Sequence, residues 1–426
     1  MGVEETVLWR VAKNQCRAMV PRRYYNERNP GIVTCLAQPV GRAGLYLSVA
    51  MSPASPVDNP IRDKPVLVWV LVPFLATDDP TLDYYNDYSQ SKDEFSRAFT
   101  ELGIEWRWQP VTLPDYRTVI DRIVRDSDLH TPVIFNLCDG DATNGVPGIS
   151  VIQYLDEIGL PYTGADEQFY RITTSKIDMK VAFDLAGVPT PPWEVVARDS
   201  PLLAAVFTRH GTPLIVKPAI SAGSMGITIQ SVVATEAALR EQLQLLQDGY
   251  RGWDLASGGV IVERYITGPE FTTLIVGTGG ASTRCTVYPP VERVFHAALP
   301  PTEQFLSFDR LWEVYERETA LGDGEYLWQY QAAPAALQQR ISDVSLAAYA
   351  SVGGRGYGRV DLRMDAETGT LYVLEVNAQC GLSEDENFTS IGAILRFADR
   401  PFSGLVQEIL RDSQALRPAA PTRVRA

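Results

Sequence analysis

A chain of 426 residues with 45% hydrophobic content is long enough for about two or three domains with real cores, which excludes a disordered protein. Its formal net charge of −14 excludes a basic nucleic-acid-binding surface and a polybasic membrane patch, so a site for a polyanion must be built locally. Five scattered cysteines suggest neither a disulfide framework nor a zinc site, and the three histidines, His130, His210 and His296, have no spacing of a metal pair or a triad.

Residues 1–20 mix Glu4, Glu5, Arg10, Lys13 and Arg17 into their apolar positions, unlike a signal peptide, and a cytoplasmic location is expected. Residues 1–63 have no clear period and end in a Pro/Ser/Asn-rich stretch at 51–60, which reads as an N-terminal extension. From 64 to 170 the pattern is that of an α/β domain. The apolar run 66–72, too short to span a bilayer, predicts a strand buried in a parallel sheet. A helix around 93–102 is capped by Gly103, strands fall at 104–108 and 132–137, and helices cover 116–125 and 149–158. Residues 171–268 read as a small α+β unit. A helix runs from TSK at 174–176 through 185, a strand at 214–217 feeds the small-residue loop SAGSMG at 221–226, and a strand at 227–232, a helix at 236–247 and a strand at 260–265 follow. Residues 269–412 hold a strand at 272–276, an unassigned stretch at 285–334, a helix at 335–352, a hairpin and a final helix from 403 to 410. Residues 413–426 form a tail.

The hairpin carries the most chemistry. In GRVDLRMDAETGTLYVLEVNAQCG, residues 358–381, period-2 alternation sends Arg359, Asp361, Arg363 and Asp365 to one face of the first strand. After the turn at 366–369, Val373, Glu375 and Asn377 share a face of the returning strand, opposite to Tyr372, Leu374 and Val376. Asp361 can sit across from Glu375 and Asn377, and such an oxygen set suits Mg²⁺, which takes its remaining ligands from water and phosphates. A solvated surface hairpin is the bland alternative, but Glu375 lies inside an apolar strand, where an unpaired carboxylate is costly.

Upstream, the backbone N–H groups and hydroxyls of Ser221, Gly223, Ser224 and Met225 can fold over phosphates, or the loop is simply a tight turn. Lys217 closes an apolar strand just before it, and Lys176 opens a helix; each is either a phosphate contact or a solvated lysine. VIVERYI at 260–266, followed by GPE, either has the shape of an adenine hinge, with backbone groups at Arg264, Tyr265 and Ile266 facing the base and Glu270 reaching a ribose hydroxyl, or is an amphipathic strand with Glu270 as a surface acid in a turn.

Together, TSK at 174–176, IVKP at 215–218 with the 221–226 loop, VERY at 262–265 with GPEFT, and GRVD at 358–361 with LEVN at 374–377 resemble the ATP-grasp superfamily, in its D-alanine–D-alanine ligase branch. The match in order and spacing covers roughly 64–412. The resemblance implies an α/β ATP-grasp fold and an ATP-dependent carboxylate–amine ligase working through an acyl phosphate. It implies that Lys176 and Lys217 hold phosphates under the Ser221–Ser224–Met225 loop, that Glu263, Arg264, Tyr265 and Ile266 line the adenine pocket, and that Glu270 binds ribose. Asp361, Glu375 and Asn377 would hold about two Mg²⁺ ions, Arg359, Lys217 and Ser224 would serve catalysis, and Arg359, Gly381 and Glu386 would face substrate. ATP and Mg²⁺ are the implied cofactors, amino acids or amines the substrates, and the family's tendency to dimerise points to a homodimer.

The substrate side departs from the family. VPFLATDD at 72–79 stands where D-alanine ligases carry a Gly-rich turn. Their HGxxGEDG segment becomes DGDATNGVPG at 139–148, with Val146 in place of the amine-binding Glu. Glu386 and Asn387 replace a Ser-Leu pair that receives a carboxylate, and the lid lysine falls at Leu311, with Arg310 as its expected substitute. The expectation is therefore a ligase whose substrates are not two D-alanines, with Glu386 selecting the acceptor. The competing readings are a true D-alanine–D-alanine ligase and a non-catalytic nucleotide-binding regulator; retention of Arg359, Asp361, Glu375 and Asn377 weighs against the latter.

Overall fold

The computed structural model describes residues 64–75, 87–140, 143, 145–221, 223–279, 285–311, 321 and 325–416; the predicted extension at 1–63 and most of the tail lie outside them. All of these belong to one compact unit, Arg62–Ala426.

Three sheets follow one another along the chain. In the first, β1 (Val66–Pro73) lies between β2 (Trp106–Val111) and β3 (Thr131–Asn136), all parallel. An unbroken apolar run is what such a doubly flanked strand requires, and Val70 and Leu71 are fully buried. Parallel neighbours need crossovers, supplied by α1 (Ser89–Leu102) and α2 (Tyr116–Arg125). Gly103 ends α1 at φ +63°, and α1 begins four residues before its predicted start. Next come α3 (Ile149–Ile158), α4 (Glu167–Thr174), where the sequence carries no legible helix signal, and α5 (Lys176–Ala186). Ser175 separates the last two: its backbone is extended and its hydroxyl accepts from Asp178 N, so it caps α5.

The second sheet is antiparallel in the order β4 (Trp193–Val196), β7 (Val260–Arg264), β5 (Leu214–Pro218), β6 (Val232–Val233). Helices α6 (Leu203–His210) and α7 (Glu236–Gln247) bury Leu203, Val206, Leu239 and Leu243 against Leu214, Val216 and Val262. The predicted strand at 227–232 is mostly a 3-10 turn, Ile229–Ser231, because Thr228 and Ser231 cap each other reciprocally and leave only two residues to pair.

The third sheet runs β11 (Trp328–Ala332), β10 (Val291–Phe295), β8 (Glu270–Gly277), β12 (Tyr357–Met364), β13 (Leu371–Ala378), with β9 (Cys285–Val287) also on β8. The stretch at 285–334 that carried no legible pattern thus supplies β9, β10, β11 and the single turn α8 (Phe308–Leu311). On one face Phe271, Ile275, Val360 and Leu362 pack with Ile341 and Tyr349 of α9 (Ala335–Ser351). On the other, Leu274, Val276 and Tyr357 share a core with α10 (Ser390–Phe397), α11 (Phe402–Leu416) and the first sheet, where Phe402 meets Phe95 edge-on at 5.4 Å between ring centroids. Where that second core stops, the same face forms the floor of a cavity. Among the described residues no helix is long and apolar enough to cross a membrane.

Candidate active site

The register of the third sheet sets the floor. Antiparallel pairing puts Glu270 opposite Arg293 on one side and Arg363 on the other; in the next row Asp361 lies opposite Thr272 and Glu375; in the next, Arg359 lies opposite Asn377. Directly opposed residues share a face, so three consecutive rows present polar side chains to one space. The expected alternation of β13 holds at Glu375 and Asn377 and fails at Val373. The register breaks between Asp361 and Leu362, leaving Leu374 as the extra residue of a β-bulge. Val373 is therefore fully buried in the core, and Leu374 stands beside Glu375 in the cavity wall.

The cavity, about 630 Å³, is walled by this floor, the second sheet with its small-residue loop, and the loops of the first sheet. Lys176, Lys217, Ser221, Gly223, Ser224, Glu263, Arg264, Tyr265, Ile266, Glu270, Arg359, Asp361, Glu375, Asn377 and Gly381 all line it. Two predicted residues do not. Met225 packs its side chain against the core of the second sheet. Glu386 is turned outward, because Asp385 accepts from the N–H groups of Asn387 and Phe388 and curls the loop, leaving Glu386 half exposed at 3.9 Å from Arg396. Ser383, Phe388 and Thr389 reach the cavity from that loop instead. Arg310 does not replace a lid lysine: it is fully buried and bonded to Glu303, while Leu311 faces the cavity. Of the 72–79 segment, residues 76–79 lie outside the described residues.

At the phosphoryl end Arg359 donates to both oxygens of Asp361 at 2.8 to 3.1 Å, and Asp361 also accepts from Thr272 Oγ1 at 2.6 Å and Asn377 Nδ2 at 2.9 Å. Burial pushes the Asp361 carboxyl up, but Arg359 outweighs it and holds it below the usual range. Asn377 Nδ2 also lies 3.3 Å from Glu375 Oε1. Two opposed carboxylates and an amide whose oxygen faces them after a half-turn make a hard-oxygen set that fits Mg²⁺. No cluster of three or more His, Cys, Asp or Glu exists among the described residues, so such an ion would need phosphate oxygens to complete its shell.

The second sheet contributes a buried charge cluster. Glu263 is 1% exposed, and its two oxygens lie 2.5 Å from Lys217 Nζ and from Lys180 Nζ. Burial opposes its ionisation, yet the two lysines hold it down at about 2. Lys180 also donates to Thr190 Oγ1 at 2.7 Å. Burial lowers Lys176, which donates to the carbonyl and hydroxyl of Ser221 at 3.2 Å. The Ser224 hydroxyl donates to Leu306 O at 3.0 Å, so the loop is tied at both ends. Lys180, Arg293 and Arg363 were given no role by the sequence; Lys180 was legible as the residue one turn after Lys176 on the same helix face.

Six basic residues (Lys176, Lys217, Arg264, Arg293, Arg359, Arg363) and six acidic ones (Asp87, Asp139, Glu263, Glu270, Asp361, Glu375) line the cavity. A polyanionic ligand thus meets cations that, apart from Lys176, are already engaged with carboxylates, and needs further positive charge to be neutralised.

The sequence profile of the D-ala D-ala ligase C-terminus matches residues 183–410. A D-alanine–D-alanine ligase of Synechococcus sp. (strain JA-3-3Ab) is 32% identical over 270 residues, 63% of this chain and 72% of that protein. One from Desulforudis audaxviator is 30% identical over 263 residues, 61% of this chain and 75% of that protein. Among solved structures, the D-alanine–D-alanine ligase of Bacillus anthracis superposes with a TM-score of 0.59 at 20% identity, covering 83% of this chain and 98% of that one. The VanG D-Ala:D-Ser ligase of Enterococcus faecalis gives 0.57 at 15% identity, covering 82% and 100%. These likenesses assign the fold as ATP-grasp. With the profile spanning more than half of its residues, the chain belongs to the D-alanine–D-alanine ligase family of ATP-dependent carbon–nitrogen ligases.

Proposed function

We propose that this cavity joins the carboxylate of one amino acid to the amine of a second amino acid or an amine, and that the pair is not two D-alanines. ATP enters with its base against the Tyr265–Ile266 hinge and Glu263, its ribose at Glu270, and its phosphates under the Ser221–Ser224 loop. Lys217 exchanges Glu263 for phosphate oxygen, and Lys180 stays behind to keep Glu263 compensated. The substrate carboxylate attacks the γ-phosphorus, and the bond to the β-phosphate oxygen breaks to release ADP and leave an acyl phosphate. The amine then attacks the acyl carbon, loses its proton, and phosphate departs with the former carboxylate oxygen.

Arg359 faces charge that develops on the transferred phosphoryl group and on the carbonyl oxygen, a term worth most where water is excluded. Asp361, Glu375 and Asn377 would hold Mg²⁺, which when bound offsets the repulsion between an anionic nucleophile and a polyanionic phosphate. The observation that carries the reading is the row of Thr272, Asp361 and Glu375 beside that of Arg359 and Asn377, a metal-suited set against a partly buried arginine that lines the cavity. The substrate departure is supported by Asp139 and Val146 in the segment where relatives are expected to carry His and Glu. A cytoplasmic homodimer is part of the same proposal, tested by light scattering on the purified chain.

The deciding experiment follows phosphate release from MgATP across L- and D-amino acids, singly and in pairs, with mass spectrometry of the products. Release that needs two partners and yields their condensation product establishes the reaction. Rapid formation of D-alanyl-D-alanine with other acceptors rejected overturns the substrate assignment.

A further inference from the structure

The residue that the reaction scheme leaves unused is Arg363. Its side chain is 4% exposed, yet it lines the cavity. One guanidinium there joins four walls of the nucleotide end. Nη2 donates to Glu270 Oε2 at 2.7 Å and to the Gln304 carbonyl, Nη1 donates to the Ile266 carbonyl at 3.1 Å, and the group lies over the Tyr265 ring, 5.3 Å from its centroid. From the other side Arg293 bonds Glu270 Oε1 and is itself held by the Tyr330 hydroxyl, which accepts from Nη2 at 3.0 Å and from Nε at 3.2 Å.

We propose that Arg363, seconded by Arg293, is a positioning residue for ribose recognition, fixing the plane of the Glu270 carboxylate and tying it to the adenine hinge. This rests on the reading of the cavity as an ATP site. A single arginine suffices to neutralise Glu270, and burying a second guanidinium costs desolvation. What the second one adds is geometry. With one guanidinium on each oxygen, the carboxylate cannot rotate, and each oxygen keeps an accepting direction for one of the two neighbouring ribose hydroxyls. Arg363 stands a full row away from Asp361 and two rows from Arg359, so it does not touch the reacting atoms.

The test reads binding rather than turnover. A non-hydrolysable ATP analogue and its 2′-deoxy counterpart are titrated with Mg²⁺ into the wild type, Arg363→Met, Arg363→Lys, Glu270→Gln and the Arg363→Met/Glu270→Gln double variant. The wild type should prefer the ribose form. Arg363→Met should weaken that form by about tenfold, the loss typical of a charge-assisted hydrogen bond, and the deoxy form far less, so that the preference collapses. Arg363→Lys should recover part of it, and in the Glu270→Gln background Arg363→Met should leave the preference unmoved. An intact preference in Arg363→Met, or a change that persists without Glu270, overturns the assignment; if Arg363→Met does not fold, an intact preference in Arg363→Lys does so. A wild type that binds neither analogue overturns the nucleotide reading, and this inference with it.

Discussion

Removing Lys180 tests whether the buried cluster on β7 is built around Glu263. The Glu263 carboxyl moves from 4.5 to about 2. At about 1.4 kcal/mol for each pH unit, that is at most roughly 3 kcal/mol of stabilisation, partly offset because burial disfavours the Lys180 ammonium and lowers its pKa. It agrees in scale with the roughly 3–5 kcal/mol lost when a buried ion pair loses one partner. Lys217 remains in Lys180→Met, so about half of this should go, some 2 kcal/mol, lowering the melting temperature of a unit as large as Arg62–Ala426 by roughly 3 °C. The sign of the pH dependence is fixed. A carboxylate with a depressed folded-state pKa contributes stability above its unfolded value and loses it as pH falls through the folded one. With Lys180 gone, burial regains weight against ionisation and the Glu263 pKa rises toward its unfolded value, so the acid limb still begins near that value but is shallower and ends at higher pH. Circular-dichroism melts between about pH 3 and 8 measure both effects. The double variant Lys180→Met/Glu263→Gln should recover part of the loss, since it removes the undercompensated charge. A melting temperature within about 1 °C of wild type, with an unmoved acid limb, would refute the reasoning.

Asp361→Asn should cut phosphate release by about a hundredfold or more while an ATP analogue still binds, because it removes a carboxylate from the metal set and the counter-charge of Arg359; near-normal turnover would sink the metal assignment. Asp139 lines the cavity with no cation paired to it among the described residues, and although it is exposed to the cavity space the protein around it disfavours its charge and pushes its carboxyl up to about 6. If a substrate ammonium docks there, its KM should fall as pH rises through 6, and Asp139→Asn should give a weaker, flat profile over the same range; a flat wild-type profile contradicts this. Glu386→Ser should leave both the acceptor profile and ATP affinity unchanged, since the side chain faces Arg396 outside the cavity; altered product ratios in the acceptor panel would count against the outward loop.

The parts legible in the sequence are those whose signal is local. Gly103, Gly159 and Gly187 each follow a periodic run and close a helix in the left-handed conformation, at φ +63°, +68° and +69°, a signal carried by the residue itself. The β12–β13 hairpin was legible because its turn is short and its two strands alternate. What was not legible depended on pairing across long separations. Strand β10 carries VERVF, an ordinary surface-like alternation, and nothing in it announces that Arg293 will face Glu270; only the β8 register does so. The Leu374 bulge is invisible for the same reason, since one extra residue on β13 changes no local propensity but reverses the side of every residue beyond it. Glu386 was misplaced because sequence position along the loop cannot reveal that Asp385 curls it.

The bulge lies in β13 and not in β12, and the site requires that difference. Arg363, Asp361 and Arg359 stand two residues apart on one uninterrupted strand, so the ribose, metal and phosphoryl rows are spaced about 7 Å apart and span about 14 Å in all. β12 sits between β8 and β13 and pairs with both. An extra residue between them would send part of this set to the helix-covered face and strip the cavity of at least one of its three functions. In β13 the same insertion falls beyond Glu375 and Asn377, where the only side chains it redirects are Val373, Tyr372 and Leu371, and burying Val373 and Leu371 against α9 and its neighbours strengthens the core. The chain therefore takes up its irregularity on the strand whose functional residues are already placed, and keeps regular the one on which three separate contacts must stay in line.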